Sequence, residues 1–130
     1  LLHDVCKYDS IVSGGDHARM GAELLEAEGY PAVAAIVGQH VRLVSFDVSP
    51  ALVVNYADKR VKHDAVVSLD DRFVDLMLRY GSDEVRQGRI RELYEEGLKA
   101  QAVVCAAAGI QAESLNLLSL IPADYPFYGG

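Results

Sequence analysis

Tryptophan is missing from this chain of 130 residues, cysteine occurs only twice, and no long apolar run is present. The last absence excludes a membrane-spanning helix, which needs about 20 consecutive apolar residues. No basic stretch followed by an apolar one opens the chain, so a secretory signal is not expected. Cys6 and Cys105 lie far apart and form no metal-type cysteine pair, which argues against a structural zinc site and against a disulfide framework. Reduced thiols in a cytoplasmic protein are the expectation. Positive charge is also scarce. Twelve Lys and Arg face 19 Asp and Glu, for a net charge of −7. A nucleic-acid backbone is therefore not the expected partner, because phosphate tracking needs a basic face. A small phosphorylated ligand stays open, since a metal can supply the positive charge. Finally, no segment alternates apolar and polar residues between turn signals. The β-branched pairs Val53-Val54 and Val66-Val67 are short, so no significant sheet is expected.

What the chain does contain is helix punctuation. With 51% hydrophobic residues it can build one domain around a core. Asp16 suits the N-cap of a helix over 17–28, stopped at Gly29. Pro31 suits the first position of a helix over 31–41. Ser49-Pro50 opens another to about residue 62. Ser68-Leu69-Asp70-Asp71 resembles a capping box and opens a helix to about residue 80. Ser82 caps a long helix over 83–108, closed by Gly109, and a last short helix falls at 112–121. Residues 6–15 read as loop, 42–48 as a connection anchored by Phe46, and 122–130 as an extended tail. The expected architecture is all-α, a single-domain bundle of about six helices. Composition shifts near Gly81, which separates residues 1–81 from a helical extension, 82–121, of the same domain. The Ala- and Val-rich second half of the 83–108 helix suits packing or a homo-oligomer contact.

Several ionisable residues fall on apolar faces. His17 aligns with Met20, Gly21 and Leu24; His40 with Val33, Ile36 and Val37; Asp58 with Ala51, Val54 and Val61. His3 and Asp4 follow Leu1-Leu2. Each has an ordinary explanation. A buried histidine is usually just hydrogen-bonded, His40 can serve a helix dipole, and Asp58 can pair with Lys59, Arg60 or Lys62. Five such groups directed at one core are a different matter. Unpartnered buried charge costs several kcal/mol, and a divalent metal is the most economical shared partner for three imidazoles and two carboxylates. His63 lies off the stripe and reads as solvated. Asp70, Asp71 and Asp75 read as capping or surface charge, and Cys6 as a small buried thiol.

The string Leu1-Leu2-His3-Asp4-Val5-Cys6-Lys7 resembles the LLHDIGK signature of HD-domain metal-dependent phosphohydrolases. Asp16-His17-Ala18 with Gly21-Ala22-Glu23-Leu24-Leu25 is similar to the helix that follows it. Gln39-His40-Val41 and Tyr56-Ala57-Asp58-Lys59 resemble the two later motifs, and the likeness spans about residues 1–73. It implies an all-helical HD-domain core over residues 1–81. It implies one ion on His3, Asp4 and Asp58 and a second on Asp4, His17 and His40, with Asp4 between them. Mixed imidazole and carboxylate ligands suit Mn, Fe, Ni or Mg as the ion, and the likeness implies hydrolysis of a small phosphate ester or nucleotide. Asp4 and Lys7 would be the catalytic residues, Lys7 beside the substrate phosphate. Lys59 is a weaker phosphate contact, with a surface ion pair as its alternative. Asp16 would orient an imidazole or simply cap its helix. The family's first histidine sits on an upstream helix, and Leu1-Leu2 reads as the end of a buried helix begun earlier, so a chain represented from partway along is expected. Two other readings stand beside hydrolysis: a degenerate HD module that binds metal or nucleotide without turnover, and a helical interaction domain without metal that uses the 83–108 helix as a dimer surface.

Overall fold

The computed structural model describes residues 2–120. Its elements are a 3-10 turn at Leu2–Asp4, then α1 (Lys7–Ser13), α2 (His17–Ala27), α3 (Pro31–Val37), α4 (Pro50–Lys59), β1 (Val61–Lys62), β2 (Ala65–Val66), α5 (Leu69–Tyr80), α6 (Glu84–Ala108) and a 3-10 segment at Ala112–Leu120. The fold is mostly helical, as expected. The extended tail expected at 122–130 lies outside the described residues, as does Leu1.

Local chemistry accounts for most boundaries. Asp16 accepts from the Ala18 amide at 3.0 Å and caps α2. Ser49 accepts from Leu52 at 3.1 Å ahead of Pro50, and Ser68 from Asp71 at 3.0 Å. The cap of α6 is Asp83, not Ser82, because the Asp83 carboxylate takes the Arg86 amide at 2.8 Å. Gly29 ends α2 with φ +89°, a left-handed conformation that glycine adopts without penalty.

Several expectations need correcting. Residues 6–15 are not loop: Lys7–Ser13 is helical, and Ser13-Gly14 is the stop of that helix, with Gly14 at φ +72°. Helix α3 ends at Val37, well short of Val41, where the Gln39 and His40 amides tighten onto the carbonyls three residues back. The last short helix is found at Ala112–Leu120, as expected, and is of the 3-10 type. Helix α4 stops at Lys59, and the chain turns into a small hairpin in which Val61 pairs with Val66 and Lys62 with Ala65. Val66, from one of the short β-branched pairs, is thus a strand residue after all. His63 makes the turn at φ +56°. Leu2, expected at the end of a buried helix, is exposed in the 3-10 turn.

Two apolar clusters organise the interior. Leu25, Ala34 and Val37 join α2 to α3. Leu52, Tyr56, Leu69, Phe73 and Ala100 join α4, α5 and α6, with Phe46 packed against them. Each fully buried large side chain contributes roughly 1.5–3 kcal/mol. Ala100 in the second half of α6 is fully covered by this intramolecular packing. Polar and ionisable groups gather where the α2–α3 pair meets α4.

Candidate metal centre

Three side chains from three segments meet at this junction. Asp4 comes from the first 3-10 turn, His17 is the first residue of α2, and His40 lies in the turn after α3. Asp4 Oδ1 is 3.4 Å from His17 Nε2 and 3.7 Å from His40 Nε2. The two imidazole nitrogens are 2.9 Å apart. Bonds of about 2.0–2.2 Å to one ion place neighbouring ligand atoms about 3–3.5 Å apart. The three atoms, all within 4.8 Å of one another, therefore fit a single divalent ion. The second oxygen of Asp4 faces elsewhere. His3 Nε2 lies 3.5 Å from Asp4 Oδ2 and 3.2 Å from Asp58 Oδ1. All five residues singled out in the sequence are thus in one neighbourhood, strung along the Asp4 carboxylate.

His40 is the most constrained of them. It is 1% exposed, although it stands beyond the end of α3. Its Nδ1 is 2.7 Å from the Val37 carbonyl, which can only accept, so Nδ1 carries the proton and Nε2 is left with a lone pair aimed at Asp4 and His17. Burial lowers the His40 pKa below the usual histidine value, against the upward pull of the Val37 bond and the Asp58 charge. The ring is therefore neutral near pH 7, as a ligand must be.

The turn that carries His40 is held by polar groups of α4. Asn55 Nδ2 donates to the Gln39 carbonyl at 2.8 Å, and Lys59 Nζ to the Val41 carbonyl at 3.0 Å. Lys59 also donates to Asn55 Oδ1 at 2.7 Å. Carbonyls left bare by the early end of α3 are satisfied in this way. Lys59 is consequently not a surface ion pair: its ammonium is buried and bonded within the fold, and the residue also lines a cavity with Asp4, Lys7, His17 and His40. Burial pushes its pKa down to about 8, although Asp58 and Glu96 pull it up. Asn55 and Lys59 share the stripe of Leu52 and Tyr56 at helical spacing, a signal present in the sequence for both.

The remaining residues fall as follows. Burial works to raise the Asp4 carboxyl, but the Lys7 hydrogen bond and charge, with His3 and His17, outweigh it and hold the group below the ordinary carboxylate range. Lys7 Nζ is 3.1 Å from Asp4 Oδ2 and largely exposed. Asp16 caps α2 and makes no hydrogen bond to an imidazole among the described residues. Asp58 pairs with His3, not with Lys59, Arg60 or Lys62. Cys6 is buried and free. His63 is exposed, as expected, and lines an open cavity beside the cluster together with Arg72, a residue no sequence pattern had pointed to. An apolar cavity of about 290 Å³ between α5 and α6, lined in part by Phe73, Met77 and Ile90, lies apart from these groups.

No helix among the described residues is long and apolar enough to cross a membrane. Comparison with protein-family models, with curated proteins and with solved structures finds no match to this chain.

Proposed function

We propose that this protein is a metal-dependent phosphohydrolase of the HD-domain type, acting on a small phosphate ester or nucleotide. The observation that carries the proposal is the Asp4–His17–His40 triangle, whose ligand atoms are spaced for one divalent ion. His3 and Asp58 would serve a second ion through the other oxygen of Asp4, in the order the HD signature implies. Mixed imidazole and carboxylate donors suit Mn, Fe, Ni or Mg. When bound, such ions polarise phosphoryl oxygens and make water a better nucleophile near neutral pH.

The chain's own groups have distinct tasks. The Val37 carbonyl fixes the His40 tautomer, and Asn55 and Lys59 hold the turn that presents it. Asp4 links the His17–His40 pair to His3 through its two oxygens. Lys7 is exposed and, among the described residues, tethered only to Asp4, so it can turn its ammonium to a substrate phosphate once that carboxylate is otherwise engaged.

The test is turnover with measured metal content. Protein loaded in turn with Mn, Fe(II), Ni or Mg is assayed on nucleoside mono- and triphosphates, dinucleoside polyphosphates and an aryl phosphate ester. At least one is expected to be hydrolysed, with loss of activity in Asp4→Asn. Full metal loading without turnover on any of them would leave a binding module and overturn the enzymatic proposal. Failure to take up any metal would favour a helical interaction domain.

A further inference from the structure

Arg72, near the start of α5, lies where two cavities meet. A cavity of about 210 Å³ is lined by His17, His40 and Lys59 among others. A larger one, of about 490 Å³, is lined by His3, Val54, Ala57 and His63 among others. Asp4, Lys7, Asp58 and Arg72 line both. The larger volume falls within the range of about 300–1,000 Å³ common for small-molecule sites.

The guanidinium is under-used. Its Nε is buried and has no hydrogen-bond partner among the described residues. Asp75 Oδ2 approaches Arg72 Nη1 only to 3.7 Å. The other oxygen of Asp75 is shared by Lys62 Nζ at 3.0 Å and Arg79 Nε at 3.2 Å. Three cations thus surround one carboxylate, of which Arg72 alone lines the two cavities, and Asp75 Oδ2 is likewise buried without a hydrogen-bond partner among the described residues. His63 lines the larger cavity as well. Arg79 Nη2 is 3.2 Å from His63 Nε2 and can only donate, so the His63 proton sits on Nδ1. Its φ of +56° is uncommon for a residue with a side chain. A buried arginine donor left unpaired is unfavourable, and the partner that best fits the guanidinium fork is an oxyanion.

We infer that Arg72 binds a second oxyanion of the substrate, so that the site takes compounds with two neighbouring phosphoryl groups in preference to simple monoesters. The inference rests on the proposed function for placing the first phosphoryl group at Asp4, His17 and His40. Arg72 itself would be a binding residue whose target lies in the larger cavity, beside the metal ligands.

Inorganic pyrophosphate and orthophosphate are the probes, titrated calorimetrically into the whole protein with Mn²⁺ and, separately, with chelator. Wild type is expected to prefer pyrophosphate. Arg72→Gln should weaken pyrophosphate binding about ten-fold or more, the scale of a lost charge-assisted hydrogen bond, with Mn content and melting temperature unchanged. Arg72→Lys should recover part of the loss. Asp75→Asn separates this role from a merely structural Arg72–Asp75 pairing: it should keep the preference, because the anion site gains rather than loses charge. Wild type without a preference under either condition, an unaffected Arg72→Gln, or an Asp75→Asn that behaves like Arg72→Gln would each overturn the inference. A protein that takes no Mn²⁺ refutes the proposed function, while the chelator titration still decides on Arg72.

Discussion

Replacing Asp4 by Asn isolates the metal hypothesis from the fold. The carboxylate is about one-third exposed, and it faces the His17–His40 pair with one oxygen and His3 with the other, 3.4 Å from His17 and 3.5 Å from His3. The substitution keeps size and shape, so the core should be unaffected, but it removes the one anionic ligand common to the whole cluster. Metal that binds only the folded protein stabilises it by about 2.7 kcal/mol when free metal is 100 times the dissociation constant. Unfolding entropy of roughly 2.1 cal/mol/K per residue converts that, for a chain of 130 residues, to a rise in melting temperature of about 10 °C. Differential scanning calorimetry with chelator, then with Mn²⁺ or Ni²⁺, should show that rise in wild type. Asp4→Asn should melt near the wild-type chelator value and respond little to either ion. Equal metal responses in wild type and Asp4→Asn would refute the assignment, as would no response in wild type to any of Mn, Fe, Ni or Mg.

Three further outcomes follow from the geometry. Long-range proton–nitrogen NMR of metal-free protein should show His40 protonated on Nδ1 and not on Nε2; an Nε2-protonated His40 would contradict the bond to Val37. Lys59 makes stability pH-dependent in the alkaline range. Its pKa of about 8 in the fold lies below the ordinary 10.5, so between these values the unfolded chain holds more protons and stability rises with pH. The slope should reach at most about 1.4 kcal/mol per pH unit. Tyr56, raised above its ordinary 10.0 by burial against the Arg60 bond and charge, acts in the opposite sense only above that pH. Urea titrations of metal-free protein at pH 8 and pH 10 should show the rise in wild type and not in Lys59→Met; a flat wild-type profile rules it out. Arg60 is 3% exposed and donates to the Val67 carbonyl, Tyr56 Oη and Asn116 Oδ1. Arg60→Ala should cost about 3–5 kcal/mol in the same urea assay, and a loss below about 1 kcal/mol would show that the network is not holding the fold.

The helical character and most helix starts could be read from the chain because caps are local chemistry. Asp16, Ser49 and Ser68 each bond an amide two or three residues away. Helix ends were harder. Residues 38–41 continue the apolar rhythm of α3, yet the helix stops at Val37 because Asn55 and Lys59, far along the chain, reward the exposed carbonyls of the turn. Tertiary bonds of that kind leave no local trace. Helix α1 was missed because Ser13-Gly14-Gly15 looks the same as loop or as helix stop. The His and Asp cluster could be read because ionised groups on apolar stripes are costly unless they meet. Arg72 could not, since an arginine one turn into a helix is ordinary until the cavities on either side of it are known.

Asp58, Lys59 and Arg60 are consecutive, and each is tied to a different stretch of chain: His3, the Val41 carbonyl, and the 112–116 region. One end of α4 therefore acts as a three-way rotational lock. A helix turns about 100° per residue, so a single insertion or deletion within 50–57 would swing all three tethers out of alignment at once. The connection at 42–48, by contrast, can change length while the lock stays engaged.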